Sequence, residues 1–474
     1  GSLYHLLRNE SLAGKTPTDE GNATREKLPE FTAKTYGFRL GGPIIKNKLF
    51  FFVNTEIQRT ETPYVFPIND YKGNSSIAQI DAIREKLLND YGHEAGDFRE
   101  NISKLKGEKI IAKINWNINQ NHRLSFRHSY VKGVQIDQLE QNSADLKFKN
   151  SAVYFPSITN SSALEVNSRF GNNTNNKLIV GYTDVHDDRS ITGDPFPSIV
   201  INDGSARITA GSEPFAFSNI VRQKTFSLTD NLTIYKDKHV FTLGTHNEFY
   251  RILNVFLPLH PAQYTYSSVD KFFADEAYLY LYGHTIGNKE IGDDASSAFP
   301  YFNASQLAFY AQDEIQINDR LKVSGGIRVD IPIFAKNAPK INDDFNTNTI
   351  PLLEAAGYDL QGAKASFLPK SQVMWSPRFG FEYDFKNDGT TKLKAGVGVF
   401  TSRVPFVWPA GVYLRNGLAS GFTFNFNGAG FAPVGDGGIS FEPDVTKQPY
   451  EDNVPSGDVD LFAEDFKYPQ LLKS

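Results

Sequence analysis

The chain has 474 residues, 49 basic and 54 acidic, giving a net charge of -5 and no cysteine. Without cysteine there are no disulfides or thiolate metal sites, and without a basic excess nothing points to nucleic acid. Phe and Tyr (38 and 22) far outnumber Trp and Met (3 and 1); with abundant Asn, Ser, Thr and Gly this favours an antiparallel β class. No run of about 18 apolar residues is present, so no transmembrane helix is read. The negative mean hydropathy does not exclude a membrane barrel, whose strands give every second residue to a polar lumen.

The first residues, GSLYHLLRN, already read as a strand with no leader before them. They suggest a chain that begins inside something larger. A Gly-Gly-Pro turn then leads into KLFFFVNTE. Here Leu49, Phe51 and Val53 fall on one face, expected to meet lipid, and Phe50 and Phe52 on the other, expected to point inward. The plainest alternation follows at 110–130. Ile110, Ala112, Ile114, Trp116 and Ile118 share one face, and Lys113, Asn115 and Asn117 the other. After a short turn, Leu124, Phe126, His128 and Tyr130 oppose Arg123, Ser125, Arg127 and Ser129. Period-two alternation over this length is a strand signal.

The same hairpin unit recurs as ALEVNSRF/KLIVGYTD, FSLTDNLTI/HVFTLGTHNEF, LAFYAQDEIQI/LKVSGGIRVDI and RFGFEYDF/KLKAGVGVF. About 13 strands result. Short polar turns join each pair, several carrying lysine (Lys46, Lys48, Lys236, Lys238), and these would face the periplasm. Long connections at 61–106, 131–160, 187–221, 253–305, 334–373 and 403–474 would face outward. Strands of about ten residues, tilted near 40°, span an apolar band of about 25 Å. The expected architecture is therefore an all-β, antiparallel transmembrane β-barrel, with short turns at one end and long loops at the other. Within the loops, Ile80, Ile83, Leu87 and Tyr91 at helical spacing predict a short amphipathic helix over 76–91, capped by Ser75 or Ser76.

No HExxH, GxSxG or P-loop is present, so neither an enzyme nor a cofactor is expected. DVHDDRSITGD (184–194) and NKEIGDDASS (288–297) read as metal sites or as solvated acidic loops. Charges on the polar phase of the strands line the lumen: Lys113, Arg123, Arg127, Arg328, Asp330, Arg378, Glu382, Lys392 and Lys394. Asp230 and Asp313 break the scheme by falling on the apolar phase, which calls for a bulge or an interfacial position. In the loops, the aromatics Tyr264, Tyr266, Phe272, Phe273, Tyr278, Tyr280 and Tyr282, with Phe406, Trp408 and Tyr413, form either a ligand-contact surface or loop-on-loop packing.

GGPIIKNKLFFFVNTE, FYAQDEIQINDRLKVSGGIRVD, SPRFGFEYDF and LKAGVGVFTSRVP together resemble TonB-dependent outer-membrane receptors, nearest the Oar-like branch with a carboxypeptidase-regulatory-like domain. DFKYPQ resembles the segment just before a later barrel strand of that branch. The resemblance implies a barrel of about 22 strands filled by an N-terminal plug. It also implies a TonB partner reached through an N-terminal region, and an outer membrane with its lipid bilayer and lipopolysaccharide. The cargo would be a bulky ligand of unknown identity, and the host a Gram-negative bacterium of the Bacteroidota. The chain would then be an internal barrel fragment of 1–474, and the nine lumen charges would meet the plug or line the substrate path. A passive porin-like channel, a barrel-anchored adhesin and a soluble β-rich enzyme are the alternatives.

Overall fold

The computed structural model describes residues 1–15, 25, 27–66, 68–136, 141–287, 301–334, 340–426, 429–430, 440–450 and 458–474. Fourteen strands lie side by side in chain order: β1 (Ser2–Asn9), β2 (Thr32–Ile45), β3 (Leu49–Val65), β4 (Glu100–Asn117), β5 (His122–Ile136), β6 (Val153–Phe170), β7 (Thr174–Ile191), β8 (Asn219–Lys236), β9 (His239–Phe256), β10 (Phe302–Gln316), β11 (Leu321–Phe334), β12 (Met374–Asp384), β13 (Lys392–Thr401) and β14 (Gln470–Lys473). Each pairs antiparallel with the next, as hairpin-connected strands do. Six tight connections alternate with long ones. Asn47 and Asp237 supply the left-handed backbone of two tight turns, with φ of 61° and 53°.

Register sorts the side chains into two faces. Ile114 pairs with Phe51 and with Phe126, and Phe126 in turn with Leu164. The next position puts Lys113 opposite Phe52 and Arg127. The sequence phase therefore holds: Leu49, Phe51 and Val53 share the apolar face, and Phe50 and Phe52 share the polar one. Ile110, Ile114, Phe126, Phe226, Leu243, Phe309 and Phe379 remain exposed on the apolar face, as a wall surrounded by lipid requires.

The strands outrun the apolar stretches. β3 and β4 stay paired through Glu61–Lys104 as far as Val65–Glu100, where the sequence reads as a loop from residue 61. β5, β6, β7 and β8 likewise extend to Ile136, from Val153, to Ile191 and from Asn219. Beyond the lipid, both faces are free to be polar, so the ladder continues after the alternation stops. The segment 403–474 is also not one excursion. It holds a helix (Val407–Leu414), a strand (Ser420–Phe426) and, after DFKYPQ, wall strand β14 paired with Gly398–Thr401.

Asp230 and Asp313 sit in unbroken ladders, so no bulge shifts their phase. Each meets a polar neighbour across the strands instead. Asn176 donates to Asp230 Oδ1 at 2.7 Å, and His239 Nδ1 lies 2.8 Å from Asp313 Oδ2. Asp313 stands near the tight-turn end. Asp230 lies mid-strand among Leu228 and Leu232, made tolerable there by its amide partner.

Glycine matters on the polar face where an aromatic lies across it. A Cβ on Gly244 would fall 2.4 Å from the Tyr310 ring. That ring also carries the Arg328 guanidinium 5.5 Å from its centroid and bonds to Asn231 through its hydroxyl. Gly244→Val should displace Tyr310 and lower unfolding stability by about 1–3 kcal/mol. Denaturant unfolding of the refolded protein measures this, and an unchanged midpoint would show that the ring is free to move.

Candidate functional site

All nine charges expected in the lumen lie on the polar face, but in two groups of different character. Lys113 and Arg127 are register partners on β4 and β5, with Arg123 near the turn; none of the three has a carboxylate in ion-pair range among the described residues. The second group, on β10–β13, is paired. Arg328 grips Asp330 through Nε and Nη2, each at 2.9 Å, and Gln306 adds a bond of 3.2 Å. Asp330 is almost fully buried, and this fork-to-fork geometry satisfies its charge. Glu382 receives Lys392 at 2.8 Å and Lys394 at 2.9 Å. Arg378 lies over the Phe400 ring at 4.5 Å. At the tight-turn end, a cavity of about 430 Å³ is lined by Arg123, Asn167, Lys177, Asn231 and Thr233, among others.

The long connections do not behave as separate loops. Five of them contribute to one folded cap. Its seven-stranded sheet runs in the spatial order 429–430, 420–426, 279–285, 263–266, 198–203, 206–210, 145–147. Against it packs the helix Ile77–Tyr91, which starts in a capping box: Ser76 accepts from the Gln79 N–H while the Gln79 side chain accepts from the Ser76 N–H. Ser76, not Ser75, is the cap. Ile80, Ile83 and Leu87, read from helical spacing, are fully buried there with Phe98, Phe148, Ile199 and Phe272.

Of the two readings of the loop aromatics, packing against protein describes most of them. Tyr280, Tyr282 and Tyr413 are buried, as are Tyr264 and Tyr266. Tyr264 donates to Gln448 at 2.9 Å, and Tyr280 to the Pro449 carbonyl at 2.9 Å. Tyr278 is half-buried and receives a bond from Asn202 at 3.2 Å. Phe406 packs on Tyr250 with ring centroids 4.7 Å apart, and Tyr413 stacks on Phe302 at 5.2 Å. Of the ten aromatics, Phe273 and Trp408 stay exposed, at 40% and 50%.

A contact invisible in the sequence ties this region to the wall. Arg403 reaches Glu248 of β9 at 3.2 Å and lies 5.2 Å over Tyr250. The helix Val407–Leu414 thereby folds onto the polar face. The one sequence signal was a lone arginine in TSRVP, beside an otherwise apolar stretch.

DVHDDRSITGD lies largely in β7 rather than in a loop, so its alternate side chains point to opposite faces. Arg222 pairs there with Asp188 at 2.9 Å. Among the described residues no group of three or more metal-type ligands gathers. NKEIGDDASS lies outside the described residues.

The fold is thus that of a lipid-facing β wall with a polar inner face. The model of the outer membrane beta barrel domain matches residues 1–67 and 68–471, and the chain belongs to that family. It is a protein of the outer membrane. No curated protein sequence matches it. The outer membrane transporter YddB from Escherichia coli is similar in fold, at 12% identity and a TM-score of 0.53, over 85% of this chain and 43% of that one. The ferric enterobactin receptor PfeA (a mutant) from Pseudomonas aeruginosa aligns at 13% identity and TM-score 0.47, over 90% and 48%. The siderophore receptor PirA from Acinetobacter baumannii aligns at 14% and 0.44, over 85% and 43%. The chain spans less than half the length of each.

Two predictions concern the cap. Tyr280→Ala removes a fully buried ring and should cost the cap about 3 kcal/mol or more. Limited proteolysis should then cut the long connections faster while the wall stays protected; equal cutting would mean that the cap has no cooperative core. The second prediction is a pH dependence. Burial holds His93 and His260 down to about 4, from an ordinary value near 6.5. His93 stacks on Phe196, with centroids 3.8 Å apart. Their folded values lie below the unfolded ones, so the unfolded cap binds more protons in acid. Cap stability should be full above about 6.5 and fall as pH drops toward 4. Proteolysis at neutral pH and at about pH 5 compares the two states, and acid-insensitive cutting would contradict the burial of these rings.

Proposed function

We propose that the chain forms the wall and loop cap of a TonB-dependent outer-membrane receptor. Such a receptor moves a bulky ligand, inward or outward, on energy relayed by TonB from the inner membrane. The observation that carries this reading is the asymmetry of the wall: a charged inner face joined by tight turns at one end and closed over by a folded cap at the other. The cap would be extracellular and would select the ligand. The tight turns, with Lys46, Lys48, Lys236 and Lys238, would face the periplasm.

Lys113, Arg123, Arg127, Arg328, Asp330, Arg378, Glu382, Lys392 and Lys394 would then meet a plug or line the path of the ligand. Among those ten aromatics, Phe273 and Trp408 have the exposure for ligand contact. An Oar-like branch, a carboxypeptidase-regulatory-like domain and a Bacteroidota host rest on the sequence phrases alone.

Planar-bilayer conductance of the complete receptor tests the reading. A plugged receptor should be silent, and deletion of the plug should open a steady pore. Steady conductance by the intact protein would assign a passive channel instead. Surface adhesion that persists without TonB, with no uptake, would assign an anchored adhesin.

A further inference from the structure

A small cavity opens on the face of the cap sheet that its core leaves free. Ile199, Ile201, Ile208 and Tyr264 belong to the core, so the residues between them point the other way. Register lays these out as a continuous floor. Gln263 stands beside Ser198, Val200 beside Thr209, and Thr209 beside Lys147. The segment 211–215 closes one side, leaving a cavity of about 150 Å³. That segment is fixed by protein contacts. The Ser151 hydroxyl donates to the Gly211 carbonyl at 3.1 Å, and the Ser212 hydroxyl accepts from the Phe196 N–H at 3.1 Å. Gly211 has a φ of 83°, and a Cβ there would run into the Pro197 carbonyl. The cavity is thus shaped before any ligand arrives.

Its charges are already met. Asp145 takes Arg207 at 2.7 Å and Lys147 at 3.6 Å. Glu213 accepts from the Phe215 N–H at 2.9 Å and lies in the field of Lys147 and Arg189. An ionic ligand would have to break into these pairs, whereas a neutral one would not. What stays open is polar and uncharged. The hydroxyl of Ser198, a residue only 1% exposed, and the Gln263 amide have no hydrogen-bond partner among the described residues. Leaving such groups without protein partners carries a cost that a ligand's hydroxyls would remove. Beside them, Val200, Pro214 and Phe215 supply apolar surface, and Phe215 is 51% exposed.

Size selects further. A cavity near 150 Å³ takes a single six-membered ring. It is about half of the roughly 300 Å³ at which pockets for larger ligands begin. A ring with hydroxyls on its edge and C–H groups on its faces suits both kinds of surface. The hydroxyls would meet Ser198 and Gln263, and a C–H face would lie on Phe215. We infer that this cavity is a subsite for one neutral sugar ring, so that the ligand taken by the cap is a saccharide or carries one. The inference deepens the ligand-selecting role proposed above for the cap. Binding at this subsite needs neither TonB nor a conducting pore, so its failure would leave the conductance test of the receptor reading untouched.

Saturation-transfer NMR of the complete receptor in dimethyldodecylamine oxide, a detergent without sugar, provides the test. The probes are the methyl glycosides of glucose, galactose, mannose and N-acetylglucosamine. N-acetyltyrosine amide, a neutral peptide group, and benzoate, an anionic ring, are the rivals. The expected result is saturation of the ring protons of at least one glycoside and of neither rival. Gln263→Leu and Ser198→Ala should each weaken that binding by about tenfold or more. Phe215→Ala should weaken it too, while Phe215→Trp should retain it. An unchanged proteolysis pattern of the cap identifies the variants that stay folded, and the exposed Phe215 pair does not depend on the core. Failure of every glycoside to bind would overturn the inference. So would binding that survives Gln263→Leu and Phe215→Ala, or equal saturation of either rival.

Discussion

Lipid offers a backbone no hydrogen-bonding partner, and the rest of this structure follows from that constraint. A chain without an apolar helix long enough to cross must pair every strand with a neighbour, and here each wall strand pairs with the next in sequence. The pairing fixes two faces, one of which must be apolar over the depth of the hydrocarbon. The other is free to carry Lys113, Arg127, Arg328 and Asp330. Charge on the inner face is thus a consequence of the apolar outer face, and it gives the wall its chemistry.

Within that frame the polar groups divide by how they are satisfied. On the inner face, Arg328 is matched by Asp330 and Glu382 is held between two lysines, while Lys113, Arg123 and Arg127 have no carboxylate in ion-pair range among the described residues. On the outer face, Asp230 and Asp313 persist because Asn176 and His239 meet them.

The wall was legible in the sequence because lipid on one side and water on the other impose a period of two. Ile110–Ile118 against Leu124–Tyr130 gave the hairpin, the phase and the pairing together. The strand ends were not legible, because above the lipid nothing forces β3 beyond Glu61 to alternate. Nor was the cap. Its strands are short, and a tyrosine such as Tyr264 looks the same in sequence whether it meets a ligand or Gln448, 184 positions away. The helix over 77–91 was the exception, since its spacing and cap are local. The lumen residues could be placed on a face but not sorted into paired and unpaired groups, which depends on register and side-chain reach: Arg328 bonds Asp330 on its own strand, and Glu382 meets Lys392 and Lys394 across one hairpin.

The cap is also a record of assembly. Its core joins Phe66, Phe148, Ile201, Tyr280 and Phe441, drawn from connections that only the finished order of wall strands brings together. No single loop can close that core alone, and a wall with one strand out of register would present the wrong partners. A surface that recognises the folded cap, whether an antibody or a phage tail, would therefore distinguish correctly threaded molecules from misassembled ones.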